Sequence, residues 1–349
     1  MPNVNGRQRE RAPTTSAPPT GEHGCPQQRP HLSVQTGAGG NNPTNRCAQE
    51  EFVMEYKEFL VLQALEAAEG HALTQRELAD ATHMSVGSVN AVVASATERG
   101  WMAGGALTGA GLAALEPYRV KRAVFIAAGF GSRLVPITLN TPKPLVRVRG
   151  TRIIDSLLDA VAAAGIEEVY IIRGYYGEQF DALLYKYPNL RFIENPMYNE
   201  ANNISSLMAA RYLLSRAYVI ESDLLLSNPG LIQRYQYRSN YLAIPMERSD
   251  DWCFEVSRDR IERVRVGGDG GVWQMVGISY WSDADGHKLV GDIEKTISQP
   301  GGKERYWDEV PLTYCRDHYD VYVRECSPTD VVEIDTFKDL QRLDSVYAA

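Results

Sequence analysis

The pattern of apolar and polar positions changes near residue 121, and from there it alternates between two periods. Short apolar runs, typical of buried strands, occur at VFIAA (124–128), VYIIRG (169–174) and YVIESDLLL (218–226). Between them lie amphipathic stretches of helical period, IIDSLLDAVAAAG (153–165) and ISSLMAARYLL (204–214). Because strands that alternate with helices build a sheet covered on both faces, this region predicts an α/β fold with a mixed, mainly parallel sheet.

Residues 54–118 have a helical pattern of another kind, with short helices separated by turns. Thr74 followed by Glu77 is a capping-box signature, Ser85 is a candidate N-cap for the next helix, and Gly100 ends that helix. A short strand, a glycine-rich wing and a last helix follow. This order resembles the winged-helix domain of bacterial regulators, and TQRELADATHMSVGSVNAVV (74–93) is the part that matches best.

The first 53 residues have no hydrophobic period and are crowded with Pro, Gly, Asn and Thr. Such a segment cannot bury enough apolar surface to offset its ordering entropy, so we expect a disordered tail. Met54 opens the patterned part and is a candidate start codon. The predicted organisation is therefore a tail (1–53), a winged-helix domain (54–118) and an α/β domain (121–349).

The amino-acid composition restricts the binding partners that the protein can have and the cellular compartment in which it is expected. A net charge of −8 gives no general attraction to nucleic acid or to an anionic membrane. No apolar run reaches the roughly 18 residues of a transmembrane helix. The five cysteines are odd in number and form no C-x-x-C, so the sequence suggests neither a disulfide framework nor a zinc site. A cytoplasmic location and no membrane partner are expected.

DNA binding is the obvious role for a winged helix, and it would place Ser85, Ser88 and Asn90 in a major groove. However, residues 55–119 carry four basic residues against eight acidic ones. Because DNA affinity depends on neutralising phosphates, DNA binding stays open but is not favoured. Dimerisation, as a homodimer, or regulation is the alternative.

A glycine-rich turn follows the first strand of the α/β domain, in the string AAGFGSRLVPITLNTPKPLV (127–146). A turn of this kind lets backbone N–H groups approach phosphate oxygens closely. The string is neither a Walker loop nor the dinucleotide-binding G-x-G-x-x-G. It resembles the signature of the nucleotidyltransferase family that includes sugar-1-phosphate nucleotidylyltransferases, and this implies a Rossmann-like nucleotidyltransferase domain.

The resemblance also implies roles for individual residues. Arg133 would hold the β and γ phosphates of the nucleotide, and Lys143 would lie between the α-phosphate and the phosphate of the second substrate. Asn202 and Asn203 suit hydrogen bonding to a base, although a helix cap is an equal alternative. The nucleotide-binding candidates are Ala127, Ala128, Gly129, Gly131, Ser132, Gly174, Tyr175, Asn202 and Asn203.

Two aspartates are candidate ligands for Mg²⁺, which nucleotidyl transfer ordinarily uses. Asp223 ends the predicted strand AYVIESD, where open α/β sheets place their sites, although a turn residue is the alternative. Asp335 ends VVEID, and it is also a good N-cap for the helix that follows. By the resemblance both match metal-binding positions of the family, whereas Glu221 is a doubtful extra ligand.

The α/β domain resembles bacterial CTP:phosphocholine cytidylyltransferases more closely than sugar enzymes. A quaternary ammonium donates no hydrogen bond, so it is held by aromatic faces and carboxylates. By the resemblance Trp252, Tyr306 and Glu333 would hold the choline end, whereas Trp281 is expected in the core. The matching segments are GYYGEQF (174–180), YNEANNISSL (198–207), YVIESD (218–223), DDWCFEV (250–256), MVGISYW (275–281), RYWDEV (305–310) and VVEID (331–335).

The expected reaction converts CTP and phosphocholine to CDP-choline and pyrophosphate, with Mg²⁺ on Asp223 and Asp335. Aminoethylphosphonate, phosphoethanolamine and a sugar 1-phosphate are alternative substrates. An alternative of another class is a winged-helix transcription regulator whose second domain senses nucleotides. Arg133, Lys143, Asp223 and Asp335 are all present, and a sensor would not need this set.

Overall fold

The computed structural model describes residues 54–348, and the tail predicted as disordered lies outside the described residues. The first part of the described chain has the predicted winged-helix order. Thr74 and Ser85 cap their helices as expected, since each side chain accepts a hydrogen bond from the backbone three residues on. The elements are α1 (Tyr56–Ala67), α2 (Gln75–Thr82), α3 (Val86–Glu98), β1 (Met102–Ala103), β2 (Ala106–Leu107) and α4 (Gly109–Leu115).

The second part alternates strands and helices. Its strands are β3 (Arg122–Ala127), β4 (Arg147–Val148), β5 (Thr151–Arg152), β6 (Glu168–Arg173), β7 (Leu190–Glu194), β8 (Ala217–Glu221), β9 (Leu224–Leu226), β10 (Asn240–Ser257), β11 (Arg260–Trp281), β12 (Tyr322–Glu325) and β13 (Val331–Glu333). Its α-helices are α5 (Ile153–Ala163), α6 (Ile204–Ala210), α7 (Asp283–Ile297) and α8 (Phe337–Leu343).

A seven-stranded sheet organises this part, in the order β10-β12-β11-β8-β3-β6-β7. The strand β3 is parallel to both of its neighbours, β6 and β8, and β6 is parallel to β7. The strand β11 runs antiparallel to β8 and forms a long hairpin with β10. The predicted fold class, a mixed and mainly parallel sheet with helices, is therefore confirmed.

Helices cover both faces of this sheet. On one face α5 contributes Ile154, Leu157 and Val161 to a core with the central strands. On the other face α6 and α7 pack around Trp281, which is fully buried as predicted. Apolar runs such as VFIAA form strands buried from both sides, because each face of the sheet is covered.

The predicted strand 218–226 is two strands rather than one. The strand β8 ends at Glu221, and β9 leaves the large sheet to pair with β13 in antiparallel register, with Glu333 opposite Leu224. A hydrogen bond of 3.0 Å from the Ile334 N–H to the Asp223 carbonyl continues this pairing. As a consequence, residues far apart in sequence meet beside Asp223.

The winged-helix elements pack against the segment that follows β9. Gln63 of α1 donates a hydrogen bond of 2.9 Å to the Tyr235 carbonyl, and Arg234 forms an ion pair of 2.7 Å with Glu66. An apolar cluster joins Met54, Phe59, Leu62 and Leu115 to Tyr235. The described residues form part of one compact unit, in which the two predicted domains are in contact. Along residues 54–348 no helix is long and apolar enough to cross a membrane.

Candidate active site

The glycine-rich turn leaves the carboxyl end of β3 and closes over Lys143. Gly131 has a φ of +62°, which glycine adopts without strain. A Cβ at this position would lie 2.9 Å from the Lys143 Cβ and 3.1 Å from Cγ2 of Thr138. The turn can therefore approach the lysine only because residue 131 has no side chain.

Lys143 is the centre of a charge network and is only 8% exposed. Its Nζ lies 2.7 Å from Oδ2 of Asp223 and 3.4 Å from Oδ1 of Asp335. Burial alone would lower the pKa of Lys143, but the surrounding carboxylates, Asp223 first, raise the pKa above its ordinary value. The ammonium is therefore held charged and fixed at the bottom of the site.

Three carboxylates offer oxygen ligands to a cation at this point. One oxygen each of Asp223, Glu333 and Asp335 lies within 4.8 Å of the other two. The Oδ1 atom of Asp223 is buried and has no hydrogen-bond partner among residues 54–348. Buried polar atoms are ordinarily paired, so an unpaired carboxylate oxygen beside two further carboxylates fits a divalent metal ion.

Two local interpretations of these aspartates need correction. Asp223 does not end a strand, because β8 stops at Glu221 and Asp223 lies in the short connection to β9. Asp335 does not cap the following helix, because Thr336 is the N-cap and forms a capping box with Asp339. With the cap supplied by Thr336, the Asp335 carboxylate is left to face Lys143 and Arg133.

Glu333 lies among the metal-type carboxylates, whereas the sequence placed it at the choline end. Burial, and then the carboxylates of Asp223 and Asp335, raise the pKa of Glu333 to about 8. Asp251, beside the aromatic residues, acts on it in the same direction. Glu333 is therefore a member of the carboxylate cluster, and it lines the same cleft as Tyr306 of the predicted choline end.

Glu221 stands beside this cluster and is not one of its members. Its carboxylate accepts a hydrogen bond of 3.5 Å from the Asn203 amide. Burial, and then Asp223 and Asp308, raise the pKa of Glu221 well above its ordinary value. Glu221 is therefore placed outside the metal-type cluster by geometry, since only Asp223, Glu333 and Asp335 bring their oxygens together.

Arg133 is the exposed member of the charged set. Its guanidinium pairs with Asp335, yet 66% of its side chain is exposed. A long side chain anchored at one end and open to solvent can turn toward a phosphate without disturbing the core.

A cleft of about 410 Å³ joins these groups to most of the predicted nucleotide-binding residues. The cleft is lined by the charged residues above and by Tyr306. The nucleotide-binding candidates that line it are Ala127, Ala128, Gly129, Gly131, Ser132, Asn202 and Asn203.

Gly174 and Tyr175 lie behind the glycine-rich turn rather than among the residues that line this cleft. The Tyr175 N–H donates a 3.1 Å hydrogen bond to the Ala128 carbonyl, and its hydroxyl donates one of 2.9 Å to Thr138. At Gly174 a Cβ would come within 2.6 Å of Tyr198. Both residues therefore support the turn from outside.

The asparagine pair connects two segments and does not cap α6 with a side chain. Asn203 occupies the N-cap position, but its side chain makes no capping hydrogen bond. Its Oδ1 accepts a 2.9 Å hydrogen bond from the Trp307 N–H. The Asn202 amide donates one of 3.2 Å to the Glu304 carbonyl. The pair thus holds the segment that carries Tyr306 against the nucleotide side of the cleft.

Trp252 and Tyr306 are brought together although they are far apart in sequence. Their ring centroids are 5.7 Å apart with an edge-to-face angle of 66°. Tyr306 is 47% exposed and lines the cleft, whereas the adjacent Trp307 is buried in the core. Trp252 lies on β10, directly after Asp251. An aromatic pair beside carboxylates is a suitable receptor for an organic cation.

The nucleotidyl transferase family matches residues 122–231, and the MarR family matches residues 54–102. A 2-aminoethylphosphonate cytidylyltransferase of Lancefieldella rimae is 33% identical over 229 residues, which are 64% of this chain and 92% of that protein. The chain belongs to the nucleotidyl transferase family, in its cytidylyltransferase branch. A choline-phosphate cytidylyltransferase of Streptococcus pneumoniae is 31% identical, over 64% of this chain and 97% of that protein.

A solved structure supports the same assignment. The structure of the CTP:phosphocholine cytidylyltransferase from Streptococcus pneumoniae superposes on this cytidylyltransferase with a TM-score of 0.60 and 32% identity. The match covers 65% of this chain and 99% of that chain. Nucleotidyl transferases use divalent metal ions, and the carboxylates around Lys143 suit that requirement.

Sequence reasoning missed several residues of this cytidylyltransferase that line the cleft. Phe130 and Tyr198 form an aromatic wall with ring centroids 5.5 Å apart. Asn195 is buried and donates hydrogen bonds of 2.9 Å and 3.1 Å to Ser205 and Ser206. Position was the only available signal, since Phe130 lies in the glycine-rich string and Asn195 and Tyr198 lie in or next to the segment YNEANNISSL.

Proposed function

We propose that this cytidylyltransferase joins the CMP part of CTP to the phosphate of a small substrate with a cationic tail, with phosphocholine as the favoured substrate. The observation that carries the proposal is Tyr306, which lines the same cleft as Lys143 and the carboxylates and packs edge to face against Trp252. The aromatic residues suit the cationic tail of such a substrate. Lys143 and the metal-type carboxylates suit its phosphate.

The reaction is an in-line displacement at the α-phosphorus of CTP. A phosphocholine oxygen attacks, the bond to the β-phosphate oxygen breaks, and pyrophosphate leaves. No general base is required, because the attacking phosphate oxygen is already anionic at neutral pH. The chain has to bring two anions together and neutralise the charge that develops between them.

Lys143 is the residue proposed to meet that charge. Its position is fixed by Asp223 and Asp335, so little reorganisation is needed when the α-phosphate arrives. Arg133 would swing from Asp335 to the β and γ phosphates, for which its exposed side chain has room. The N–H groups of the turn 129–132 would approach the triphosphate, as the lack of a side chain at Gly131 allows.

Asp223 and Asp335, together with Glu333, would hold Mg²⁺. When bound, the ion supplies positive charge for the phosphate oxygens and orients them. The unpaired Oδ1 of Asp223 is the atom that most supports this assignment.

A second substrate has specific support. The relative from Lancefieldella rimae is a 2-aminoethylphosphonate enzyme, and its identity to this chain is slightly higher than that of the choline-phosphate relative. A primary ammonium donates hydrogen bonds, which Asp251 and Glu333 beside the aromatic pair would accept. Phosphoethanolamine belongs to the same class, whereas a sugar 1-phosphate has no cationic group for the aromatic pair to attract.

The winged helix is proposed as a regulatory or dimerisation module of a cytoplasmic enzyme, and DNA binding stays the less favoured role. At the exposed start of α3 the Ser85 side chain is used to cap the helix. Retention of salt-sensitive DNA binding by the full chain at physiological ionic strength would reverse this preference.

The test is a pyrophosphate-release assay with each of the four ribonucleoside triphosphates against phosphocholine, phosphoethanolamine, 2-aminoethylphosphonate and glucose 1-phosphate. We expect turnover with CTP only, and the highest kcat/KM with phosphocholine. Highest kcat/KM with 2-aminoethylphosphonate would select the second substrate. Turnover with glucose 1-phosphate alone, or with none of the acceptors, would contradict the proposal.

A further inference from the structure

A second group of metal-ligating side chains lies outside the residues that line the cleft. Asp292 comes from α7, and Cys315 and His318 come from the turn that follows the segment of Tyr306. One ligand atom of each lies within 4.8 Å of the other two. The group combines a thiol, an imidazole and a carboxylate, which differs in kind from the all-carboxylate cluster beside Lys143.

The local backbone explains why Cys315 and His318 face the same way. Residues Arg316–His318 form a turn of 3₁₀-helix, and the His318 N–H donates a 2.9 Å hydrogen bond to the Cys315 carbonyl. In this helix type, side chains three residues apart eclipse each other. The spacing C-x-x-H therefore presents sulfur and imidazole on one side, toward Asp292.

The Asp292 carboxylate is already surrounded by donors. Its Oδ2 lies 2.7 Å from Nδ1 of His318 and accepts a 2.6 Å hydrogen bond from the Tyr319 hydroxyl. Asp292 and Cys315 are buried, whereas 52% of the His318 side chain is exposed, so the group is closed on the protein side and open to solvent. The nearby Lys288 points its ammonium at Asp285 and at the His318 carbonyl.

We propose that Asp292, Cys315 and His318 bind one divalent ion of borderline softness, with Zn²⁺ as the best match. Zinc accepts sulfur, nitrogen and carboxylate ligands in tetrahedral geometry, and water would take the fourth position on the exposed side. Binding through Sγ releases the thiol proton to solvent. Binding through Nδ1 places the remaining ring proton on Nε2.

The hydrogen bond from Tyr319 supplies the outer support that such sites need. It would orient the Asp292 carboxylate with or without the ion, as outer-shell donors do in zinc sites. The ion would clamp α7 to the segment that runs back through Val310–Tyr314 to Tyr306. The inference does not depend on which substrate the cleft binds.

The experiment is a titration of the metal-stripped full chain with Co²⁺, which replaces zinc and reports its ligands by absorption. A thiolate-to-cobalt charge-transfer band should grow to one equivalent, and Zn²⁺ should then abolish it. The carboxylate cluster at the cleft has no thiol, so it contributes no such band. Cys315→Ser should remove the band, whereas Cys326→Ala, a buried cysteine elsewhere in the fold, should keep it.

Two further variants distinguish the loss of a metal ligand from misfolding of the chain. His318→Ala alters a half-exposed side chain and should weaken Co²⁺ binding by at least about tenfold, and Tyr319→Phe should weaken it by roughly 10-fold while retaining the band. Absence of the thiolate band in the wild-type chain would overturn the proposal. So would a band that persists at full intensity in Cys315→Ser, or unchanged Co²⁺ affinity in His318→Ala.

Discussion

The two ends of the cleft are built on different principles. At the reaction end Lys143 is buried and cross-linked to Asp223 and Asp335 by short ion pairs. At the tail end Trp252 and Tyr306 contact each other edge to face, and Tyr306 is about half exposed. One end is a fixed arrangement of charges, and the other is a partly open aromatic surface.

This difference indicates which end determines the reaction and which selects the substrate. Charge that is fixed before the substrates arrive stabilises a transition state, so changes at the reaction end should act on kcat. An aromatic surface attracts a cation equally in the ground state and the transition state, so changes at the tail end should act on KM.

The largest loss is expected for Asp223→Asn. Turnover should fall by at least about 100-fold, because the substitution removes a charged ligand from the metal-type cluster. The variant should stay folded, because asparagine has the same shape as aspartate and Lys143 keeps its ion pair with Asp335. Steady-state kinetics at saturating Mg²⁺ and calorimetry measure the two effects.

Asp320→Asn is the matched control, because Asp320 is exposed and pairs with Arg260 outside the cleft. It should leave both turnover and melting temperature unchanged. Wild-type turnover in Asp223→Asn would remove Asp223 from the site.

Lys143→Ala should lower kcat by roughly 100-fold, the scale of a lost transition-state donor, while changing KM for CTP much less. Lys186→Ala removes a surface lysine and is the control. An effect confined to KM for CTP would mean that Lys143 acts in ground-state binding.

Glu333→Gln tests whether Glu333 belongs to the reaction end or to the tail end of the cleft. The distance of Glu333 from Asp223 and Asp335 predicts that the variant needs more Mg²⁺ for half-maximal rate with every acceptor. Titration of the rate with Mg²⁺ is the measurement. A raised KM for amine-bearing acceptors, with no change in Mg²⁺ requirement, would return Glu333 to the tail end.

Removal of the winged helix should have the smallest effect on chemistry. A chain that begins at Pro117 retains every residue of the cleft, so its kcat should stay close to that of the full chain. Its melting temperature should fall, because Tyr235 loses its apolar contacts with Phe59 and Leu62. Loss of activity in a folded truncated chain would show that the module contributes to the site.

Local patterns predicted the helices and the central strands well, because capping and burial are properties of neighbouring residues. Thr74 and Ser85 cap their helices as expected. The path after Glu221 could not be predicted in this way, since β9 leaves the sheet to pair with a strand about a hundred residues later. This pairing places Glu333 beside Asp223, and no local sequence pattern indicates it.

Contacts between residues far apart in sequence also limited the prediction of the site. The cap interpretation of Asp335 failed because Thr336, with Asp339 three residues on, makes the better capping box. Trp252 and Tyr306 were predicted to act together only through the family resemblance. No spacing rule could pair Asp292 with Cys315 and His318, because only the packing of α7 brings them together.

The most direct test of the division between the two ends is KM for phosphocholine, phosphoethanolamine and CTP in Trp252→Ala. The control is Tyr185→Ala, which removes a fully exposed ring outside the cleft. We predict that KM for phosphocholine rises by about ten- to thirtyfold, the equivalent of about 1–2 kcal/mol of cation–π contact and buried area. The rise should be smaller for phosphoethanolamine and absent for CTP. Equal losses for all three ligands, or a much lower melting temperature, would show that Trp252 is a structural residue and contradict the account.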